Sequence, residues 1–515
     1  MLAKNSNNNY TKNIKQRRIL PTILIAEMWE RFSFYGMQAL LALFLTRELN
    51  MSDSNSYAII SIYISVCYAG PVLSGFIADK LLGAKTMVLI GGIILIIGHA
   101  AMSMVVIDHY FTFIGLGLIS IGTGAFKGNI TNLLGQVYEG ENNKKDHAFT
   151  LFHVSVNVGS ALAAIICGFI GENEAWGWHY GFGIAAIGMT IGLLIFVNAK
   201  DSILAQYGNP PDKLRAQQKF YGISLQSLVF LGLLALSILV MVILQFAESF
   251  INPIRLLSLI VFGFFVYFIS LYKDEAMKFK NLIAFGIMLF FFMCFIIMEL
   301  QIFSLLSVFI DRSVDRNVFG VHIPASVFQS INPISIILFG WFLAQFFKKT
   351  SPEFAVTRIL IALLMMATSF YMIYLGCFYA NDKGLVSWTV PLIAIAFMGV
   401  SEIFIAPLIQ MQATTLTPQG TRGFMIGVTM ISLSVASLAG YEIQKIMALP
   451  DPNAVNAKLD ALEIYKNGFL KVTIVNLLIS ISFLPFYPFL RKTIKNNAKF
   501  EVEALKAKNK EGKKN

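Results

Sequence analysis

The sequence predicts an all-α, polytopic membrane protein. Of its 515 residues, 56% are hydrophobic and only 13% are charged, and the mean hydropathy is +0.68, so the chain is more apolar than a soluble domain. Runs of 18 or more apolar residues recur along the whole length, and each is long enough to cross a bilayer as a helix. Because these runs are too long for barrel strands, a helical bundle follows.

About fourteen apolar spans follow one another along the chain. In order they cover approximately residues 20–46, 57–78, 86–106, 110–135, 147–170, 178–198, 220–246, 252–272, 281–310, 326–347, 356–379, 387–414, 423–446 and 467–490. The first span lacks a clear cleavage site, so it is predicted to remain on the protein and not to serve as a signal peptide. The four cysteines fall inside spans, and none has the spacing of metal ligands.

Lysines and arginines predict the orientation of the helices. They precede the first span and recur in every even-numbered loop, for example as Lys80, Lys144 and Lys349. Odd-numbered loops carry few cations, among them Arg47 and Arg316. By the positive-inside rule, the even-numbered loops and both termini are cytoplasmic. A multi-pass protein of the plasma membrane is therefore expected, and the absence of a targeting sequence favours a bacterial inner membrane.

A basic linker divides the spans into two groups. Residues 200–219 contain a Pro-Pro pair and several charges, and six spans precede them. Two of the eight spans that follow are almost free of charge apart from Arg255. The predicted domains are residues 1–199 as an N-terminal six-helix half, 200–219 as a cytoplasmic linker, 220–272 as an inserted peripheral helical hairpin, 273–491 as a C-terminal six-helix half, and 492–515 as a charged cytoplasmic tail. Two pseudo-symmetric halves around a midplane site are typical of transporters.

Charged residues at six positions lie deep within predicted spans. They are Glu27, Glu30, Arg31, Lys127, Glu299 and Glu402. A charged side chain at such a depth costs about 3 kcal/mol, so each is expected to be paired or to face water. Phe34 and Tyr35 follow the first three of these residues at the spacing of one helix turn. All five therefore lie on one face of the helix. This stripe predicts either a polar site inside the bundle or a salt-bridge cluster that only holds helices together.

The loop after the second span resembles the signature loop of the major facilitator superfamily. Its sequence, GFIADKLLGAK at residues 75–85, matches the pattern G-x-x-x-D-[RK]-x-x-G-x-[RK]. Gly83 suits the tight turn of the chain. In that superfamily the acid pairs with a neighbouring helix in one access state and releases it in the other. The resemblance therefore implies a gating role for Asp79, Lys80 and Lys85.

Four further motifs carry a closer resemblance. EMWERFSFYG, residues 27–36, closely resembles the E-x-x-E-R-F-x-Y-Y-G motif of proton-dependent oligopeptide transporters, a family within the major facilitator superfamily. FHVSVNVGS (152–160), FQSINP (328–333) and SEIFIAPLIQ (401–410) look like that family's F-x-x-S-I-N-I-G-S, F-Q-x-x-N-P and E-[LI]-F-x-[SA]-P segments. The resemblance covers nearly the whole chain. It implies the major facilitator fold, with the inserted hairpin that bacterial members have between the halves.

The resemblance also implies roles for individual residues. Arg31 and Lys127 would hold the carboxylate of a di- or tripeptide, and Glu402 would hold its amino group together with Asn157 and Asn332, which would take part by hydrogen bonding. The remaining implied residues are Tyr35 and Tyr68 as pocket walls, and Glu27 and Glu30 in proton coupling. Glu299 is a further candidate for proton coupling in this chain. A short peptide is a zwitterion, so basic and acidic groups suit its two ends while apolar walls accept varied side chains.

The deep charges provide a route for proton coupling. Four acids and two bases leave a net charge of about −2 that a zwitterionic peptide does not change, so neutrality requires about two protons. A glutamate beside Arg31 is kept ionised while Arg31 binds it. It takes up a proton more readily when Arg31 binds the peptide instead. Protons are thus the expected coupling ion, driven by the proton gradient and the membrane potential. No other cofactor and no metal is expected.

The chain departs from the family pattern at several positions. Phe34 replaces a motif tyrosine, Gly128 stands where proline is common, and Thr429 stands where a pocket tryptophan is frequent. The family commonly has E-Q-G in the first span of the second half, where this chain has Leu-Gln-Ile at 300–302. Glu299 lies one residue earlier, about 100° around the helix. Either a helix irregularity restores this acid or the proton site there is lost.

Other functions share some of these features. A major facilitator carrier for an amino acid, a nucleoside or an organic anion would use the same charges and fold. A receptor that binds without moving its solute is also compatible with the sequence. An intramembrane enzyme is disfavoured because no Ser/His/Asp set, no HExxH motif and no paired aspartates near a glycine hinge are present. The expected partners are a di- or tripeptide and the lipid bilayer, with no nucleic acid, and the functional unit is expected to be a monomer.

Overall fold

The computed structural model describes residues 2–139, 141–202, 204–212, 214, 218–418, 421–449 and 457–511. Residues 203, 213 and 215–217 of the predicted linker and residues 512–515 of the predicted tail lie outside the described residues. Throughout the described part, long helices dominate and strands are only two residues long.

The chain forms two compact units, and the first contains residues Met1–Ile251, Phe303–Asp311 and Arg316–Ile334. Its helices are α1 (Leu2–Leu43), α2 (Asp53–Ile77), α3 (Ala84–Ser103), α4 (Tyr110–Val137), α5 (Asn142–Gly171), α6 (Trp178–Lys200) and α7 (Leu225–Gln245), followed later in the chain by most of α10 (Leu305–Ser313) and a 3₁₀ helix (Ala325–Ser330). Helix α1 packs against α5 and α6, and α4 packs against α2, α3 and α7.

The second unit contains residues Asn252–Ile302, Arg312–Asp315 and Ser335–Asn515. Its helices are most of α8 (Ala247–Ser270), α9 (Ala276–Glu299), most of α11 (Ile331–Lys348), α12 (Phe354–Phe378), α13 (Thr389–Thr415), α14 (Arg422–Ile446), α15 (Ala457–Phe483) and α16 (Tyr487–Glu511). Helix α12 packs against α13 and α15, and α9 packs against α14.

Short strands connect the helices. In the first unit, β1 (Lys219–Phe220) pairs antiparallel with β2 (Ile223–Ser224), with Lys219 opposite Ser224. In the same unit β4 (Asn317–Val318) pairs antiparallel with β5 (Val321–His322). In the second unit, β3 (Val314–Asp315) pairs parallel with β6 (Val386–Ser387).

The helices have the length and composition of membrane spans. Thirteen helical stretches of the described chain are long and apolar enough to cross a membrane, and α1 adds a helix of 42 residues that carries the charged stripe. Helix α2 begins where the hydroxyl of Ser52 accepts a hydrogen bond from the backbone N–H of Asn55 at 3.2 Å, the usual N-cap of a helix. The prediction of an all-α, polytopic membrane protein is confirmed.

The two helices of the predicted inserted hairpin belong to different units. Helix α7 packs on α4, where a Cβ added to Gly117 would lie 2.6 Å from the carbonyl oxygen of Ser237. Helix α8 passes from the first unit to the second between Ile251 and Asn252, next to Pro253. The two compact units are defined by contacts within the chain and not by movements during transport. The predicted limits of the two six-helix halves therefore stay a prediction.

A glycine on α5 allows the close approach of α5 to the charged part of α1. A Cβ added to Gly159 would overlap the carbonyl oxygen of Met28 and lie 3.2 Å from the backbone nitrogen of Phe32. Backbone atoms inside a helix cannot move aside easily. We therefore expect Gly159→Ala to lower the free energy of unfolding by about 1–3 kcal/mol, the usual cost of overpacking. Denaturant titration of the purified protein in detergent measures this change.

Gly135 on α4 provides the matched control. It too is a helical glycine, but a Cβ added there meets nothing within 4 Å. Gly135→Ala should therefore be neutral or stabilise the protein by up to about 1 kcal/mol, the difference in helix propensity between the two residues. Equal effects of the two substitutions would contradict the close approach of α5 to α1.

Candidate functional site

The charged stripe on α1 is fully buried. Glu27, Glu30 and Arg31 have no exposed surface, Phe34 is 3% exposed, and Tyr35 is half-buried. The spacing in the sequence predicted that these five residues share a face of one helix that points away from lipid. The burial agrees with that prediction, and it places two acids and one base where water is scarce.

Arg31 and Glu30 form a two-bond ion pair. Arg31 donates from Nε to Oε2 of Glu30 and from Nη2 to Oε1 of Glu30, the latter at 2.5 Å. Arg31 Nε also lies 3.5 Å from Oε1 of Glu27, and the guanidinium lies 4.8 Å from the ring centroid of Phe34. Two parallel bonds between a guanidinium and a carboxylate fix both groups in one plane.

Two polar groups of this cluster keep unused bonding capacity. Among the described residues, Nη1 of Arg31 and both carboxylate oxygens of Glu27 are buried without a hydrogen-bond partner. Buried polar atoms are normally satisfied, so each exception requires an explanation, and a site for a ligand or a proton is one such explanation. Arg31 therefore retains one free donor edge while Glu30 occupies the other.

Lys127 brings a second cation to the same cluster. It interacts electrostatically with Glu27, Glu30 and Arg31, and its Nζ lies 5.0 Å from the ring centroid of Tyr68. A cation over an aromatic face is held by the negative face of the ring. Two acids and two bases are thus collected in the first unit, and their formal charges balance.

Glycines on α2 and α4 allow this meeting of Tyr68 and Lys127. A Cβ added to Gly70 would lie 2.7 Å from the Cα of Gly124, so the two backbones touch at their crossing. Gly128, the next residue after Lys127, is packed against Pro71, with 3.0 Å from its added Cβ to the Cβ of Pro71. Gly124 and Gly128 lie on either side of Lys127 in the chain, so Lys127 lies where α2 and α4 pack closely.

Three other predicted substrate-binding residues have the following surroundings. Asn157 is 6% exposed and donates from Nδ2 to the carbonyl of His153, one turn earlier on α5, at 2.9 Å. Asn332 lies near the start of α11 in the first unit and is half-buried. Glu402 lies in the middle of α13 in the second unit and is half-buried. The amide N–H of Asn157 thus bonds its own helix, and the role of Asn157 at the amino group of the peptide stays a prediction.

Glu299 lies at an irregularity of the helix. It is the last residue of α9, it is 8% exposed, and a 3₁₀ turn at Leu300–Phe303 follows it directly. A 3₁₀ turn advances a residue by about 120° where an α-helix advances it by about 100°. The sequence offered a helix irregularity as one of two explanations for the displaced acid, and an irregularity is present at this position.

The signature loop holds the linker that follows α6. Oδ1 of Asp79 accepts a hydrogen bond from Nδ2 of Asn132 at 3.4 Å, and Lys80 is exposed. Nζ of Lys85 donates to the side chain of Asn209 at 3.0 Å, and its backbone N–H donates to the carbonyl of Gly208 at 3.0 Å. Lys85 thus binds the linker to the start of α3. The gating roles of Asp79, Lys80 and Lys85 stay predictions.

A second ionic cluster of the first unit was not predicted from the sequence. We name it the Arg47 cluster, and it consists of Arg47, Glu172, Asp311 and Arg316. Arg47 Nη1 lies 3.4 Å from both Glu172 and Asp311, and Arg316 Nη2 donates to Asp311 at 3.0 Å. Its signal in the sequence was the presence of Arg47 and Arg316 in loops that are otherwise poor in cations.

Comparison with known proteins identifies the family. The family model PTR2, described as the POT family, matches residues 85–459, which is more than half of the chain. The chain belongs to the POT family. The predicted resemblance to proton-dependent oligopeptide transporters is confirmed, as is the prediction of a membrane transporter and not an enzyme.

Relatives from bacteria match over nearly the whole length of the chain. The dipeptide and tripeptide permease A of Escherichia coli (strain K12) is 28% identical over 489 residues, covering 94% of this chain and 95% of the relative. The protein of the same name from Proteus mirabilis (strain HI4320) is 28% identical over 481 residues, covering 93% of this chain and 96% of the relative.

Solved structures share the fold of this POT-family chain. A crystal structure of tetrameric PepTSo2 has a TM-score of 0.79 at 26% identity, covering 93% of this chain and 99% of that one. A structure from work on substrate recognition in proton-dependent oligopeptide transporters has a TM-score of 0.78 at 26% identity, covering 93% and 100%. The predicted major facilitator fold is confirmed by this likeness.

Proposed function

We propose that the protein is a proton-coupled symporter that imports di- and tripeptides by alternating access. The observation that carries the proposal is the charge-balanced cluster of three buried residues on α1 and Lys127 on α4, in which Arg31 keeps one unused donor edge. Two curated relatives are named dipeptide and tripeptide permeases, which supports this substrate class. Arg31 and Lys127 are proposed to hold the peptide carboxylate, and Glu402 its amino group.

Tyr35 and Tyr68 are proposed to contact the peptide backbone. Tyr35 stacks on Phe303 with 5.8 Å between ring centroids, and Tyr68 lies under the Lys127 ammonium. Rings placed beside cations provide a flat apolar surface without removing the charges that orient the peptide. Asn157 and Asn332 are proposed to add hydrogen bonds at the amino end.

Proton coupling follows from the charge balance in the first unit. Glu27 and Glu30 offset Arg31 and Lys127, so an arriving carboxylate adds one uncompensated negative charge. It must also compete with Glu30 for Arg31. Uptake of a proton by Glu27 or Glu30 restores neutrality, and proton and peptide are then favoured together. Protons are therefore proposed as the coupling ion, and Glu299 is proposed as a further proton-coupling acid.

Location and assembly complete the proposal. The bacterial permeases to which the chain is similar support an inner-membrane location, and both termini are proposed to be cytoplasmic because of the basic even-numbered loops. One chain is proposed as the transport unit, although the similar PepTSo2 crystallised as a tetramer.

Uptake of labelled dialanine into proteoliposomes tests the proposal. With the interior made alkaline, dialanine should accumulate above its external concentration, and a protonophore should abolish the accumulation. Unlabelled dipeptides should compete, whereas free amino acids should not. Glu402→Gln should abolish driven uptake, and Glu299→Gln should reveal whether the displaced acid carries a proton. Accumulation of free amino acids instead would favour a carrier for another solute, and binding without accumulation would favour a receptor.

A further inference from the structure

Arg358 is an arginine early in α12, inside an apolar span of the second unit. The span covers Phe354–Phe378, and Arg358 is half-buried within it. Among the described residues no carboxylate forms an ion pair with Arg358; its hydrogen bonds go to backbone carbonyls. An arginine in a membrane span is costly to insert, so one that bonds backbone has a specific structural task.

The guanidinium of Arg358 binds two consecutive carbonyls of α13. Nε donates to the carbonyl of Phe404 at 3.1 Å, and Nη2 donates to the carbonyl of Ile403 at 3.3 Å. The guanidinium also lies 3.8 Å from the ring centroid of Phe347, whose ring packs edge-on against Phe404 at 5.1 Å. Arg358 is thus held in one orientation by two hydrogen bonds and by an aromatic face.

Pro407 explains why one of these carbonyls, that of Ile403, needs an outside donor. Pro407 lies inside α13, and it has no backbone N–H to give to the carbonyl of Ile403, four residues earlier. A proline ring also crowds the carbonyl four residues earlier, which disfavours a regular turn at that point. Arg358 supplies the donor that Ile403 lacks and a second bond to the neighbouring carbonyl of Phe404. Glu402 directly precedes Ile403, so the same turn sets the direction of the Glu402 side chain.

We infer that Arg358 is a positioning residue for Glu402: by bonding the carbonyl of Ile403, which Pro407 leaves without an N–H, and the next carbonyl, it fixes the turn of α13 that aims the Glu402 carboxylate at the substrate. This inference rests on the proposed function, in which Glu402 binds the amino group of the peptide. It assigns a role to Arg358, Pro407 and Glu402 together that acts through helix geometry, with only Glu402 touching the substrate.

The test compares dialanine with propionyl-alanine, the same molecule with the amino group replaced by hydrogen. Binding of each to purified protein in detergent is measured by competition. Arg358→Met should weaken dialanine binding about tenfold, equivalent to about 1.4 kcal/mol, and change propionyl-alanine binding less than about twofold. Arg358→Lys, which keeps the charge and one donor, should fall between wild type and Arg358→Met. Lys349→Met removes an exposed cation that directly follows α11 and serves as the matched control, with no change expected.

A second readout separates positioning from general damage. In a Pro407→Ala background the backbone N–H of residue 407 returns, so the carbonyl of Ile403 is satisfied within the helix. The loss of thermal stability caused by Arg358→Met should therefore be smaller in that background than in the wild type. In a Glu402→Gln background, Arg358→Met should cause no further loss of dialanine affinity, because the group that it positions is already absent.

The outcomes distinguish this inference from the proposed function. If wild-type protein binds dialanine and propionyl-alanine equally, the role of Glu402 is wrong and the inference falls with it. If Glu402→Gln removes the preference for dialanine but Arg358→Met weakens both ligands equally, the proposed function stands and the inference is overturned. Should Arg358→Met not fold, the same comparison is made with Arg358→Lys, which must lose part of the preference.

Discussion

Replacement of Arg31 by alanine should abolish dipeptide uptake. Arg31 is fully buried and makes two hydrogen bonds to Glu30 with a further ion pair to Glu27. Removing it deprives the peptide of a charge-assisted partner, and two such bonds at about 1.5–3 kcal/mol each lower affinity by 100-fold or more. It also leaves two buried carboxylates without their cation, which costs about 3–5 kcal/mol of stability. Uptake into proteoliposomes and denaturant titration in detergent measure the two effects.

A double variant separates the two effects. Arg31→Met together with Glu30→Gln removes one cation and one anion, so the net charge of the cluster is unchanged and no new unpaired charge is created. We expect this variant to recover much of the stability that Arg31→Ala loses, while uptake remains absent. Normal transport by Arg31→Ala would show that the assignment of the carboxylate-binding site is wrong.

Periodic features of single helices were predictable from the sequence. The stripe on α1 follows from intervals of three and four residues, because a regular helix brings such residues to one face whatever the tertiary structure. Burial of Glu27, Glu30 and Arg31 agrees with the argument that charged groups cannot face lipid. The glycines spaced along α4 are likewise a signal in the sequence for close packing of helices, since small residues allow backbones to touch.

Features that depend on contacts between distant segments were not predictable. No sequence pattern reveals that Arg358 reaches the carbonyl of Ile403, which Pro407, 49 positions after Arg358, leaves without a backbone N–H. The sequence places Asn157 within a span but does not show which acceptor its amide reaches, which is the carbonyl of His153 at 2.9 Å. The Arg47 cluster joins residues up to 269 positions apart, from Arg47 to Arg316, so its pairing required the fold.

Glu172 is the centre of the Arg47 cluster, and its removal should strongly destabilise the first unit. Its side chain is 3% exposed and accepts hydrogen bonds from the backbone N–H groups of Ala325 and Ser326, at 3.2 and 2.8 Å, and from the Ser326 hydroxyl at 2.6 Å. These N–H groups lie at the start of the 3₁₀ helix that leads into α11. Carboxylates at such positions satisfy donors that have no partner within the helix.

We expect Glu172→Ala to lower the free energy of unfolding by about 3 kcal/mol, near the lower end of values for breaking a buried charge network. The value is at the lower end because the partner Arg47 is 44% exposed, so water screens this ion pair. Denaturant titration in detergent measures it. Glu172→Gln keeps an acceptor for the N–H groups but loses the charge, so its stability should lie between those of wild type and Glu172→Ala.

Glu463→Ala is the control for the Glu172 variants. Like Glu172, Glu463 is a glutamate with a cation partner, Lys466 at 2.8 Å, but the side chain of Glu463 is 62% exposed. Exposed pairs of this kind contribute little to stability, so this variant should unfold with the wild type. If Glu172→Ala were as stable as Glu463→Ala, the three hydrogen bonds at the start of the 3₁₀ helix would carry no net stability. The segment that bears Asn332 would then have to be held in place by other contacts. The strongest candidates are the hydrogen bonds of Gln329, which donates to the carbonyl of Ala39 at 3.2 Å and to Ser307 at 2.6 Å.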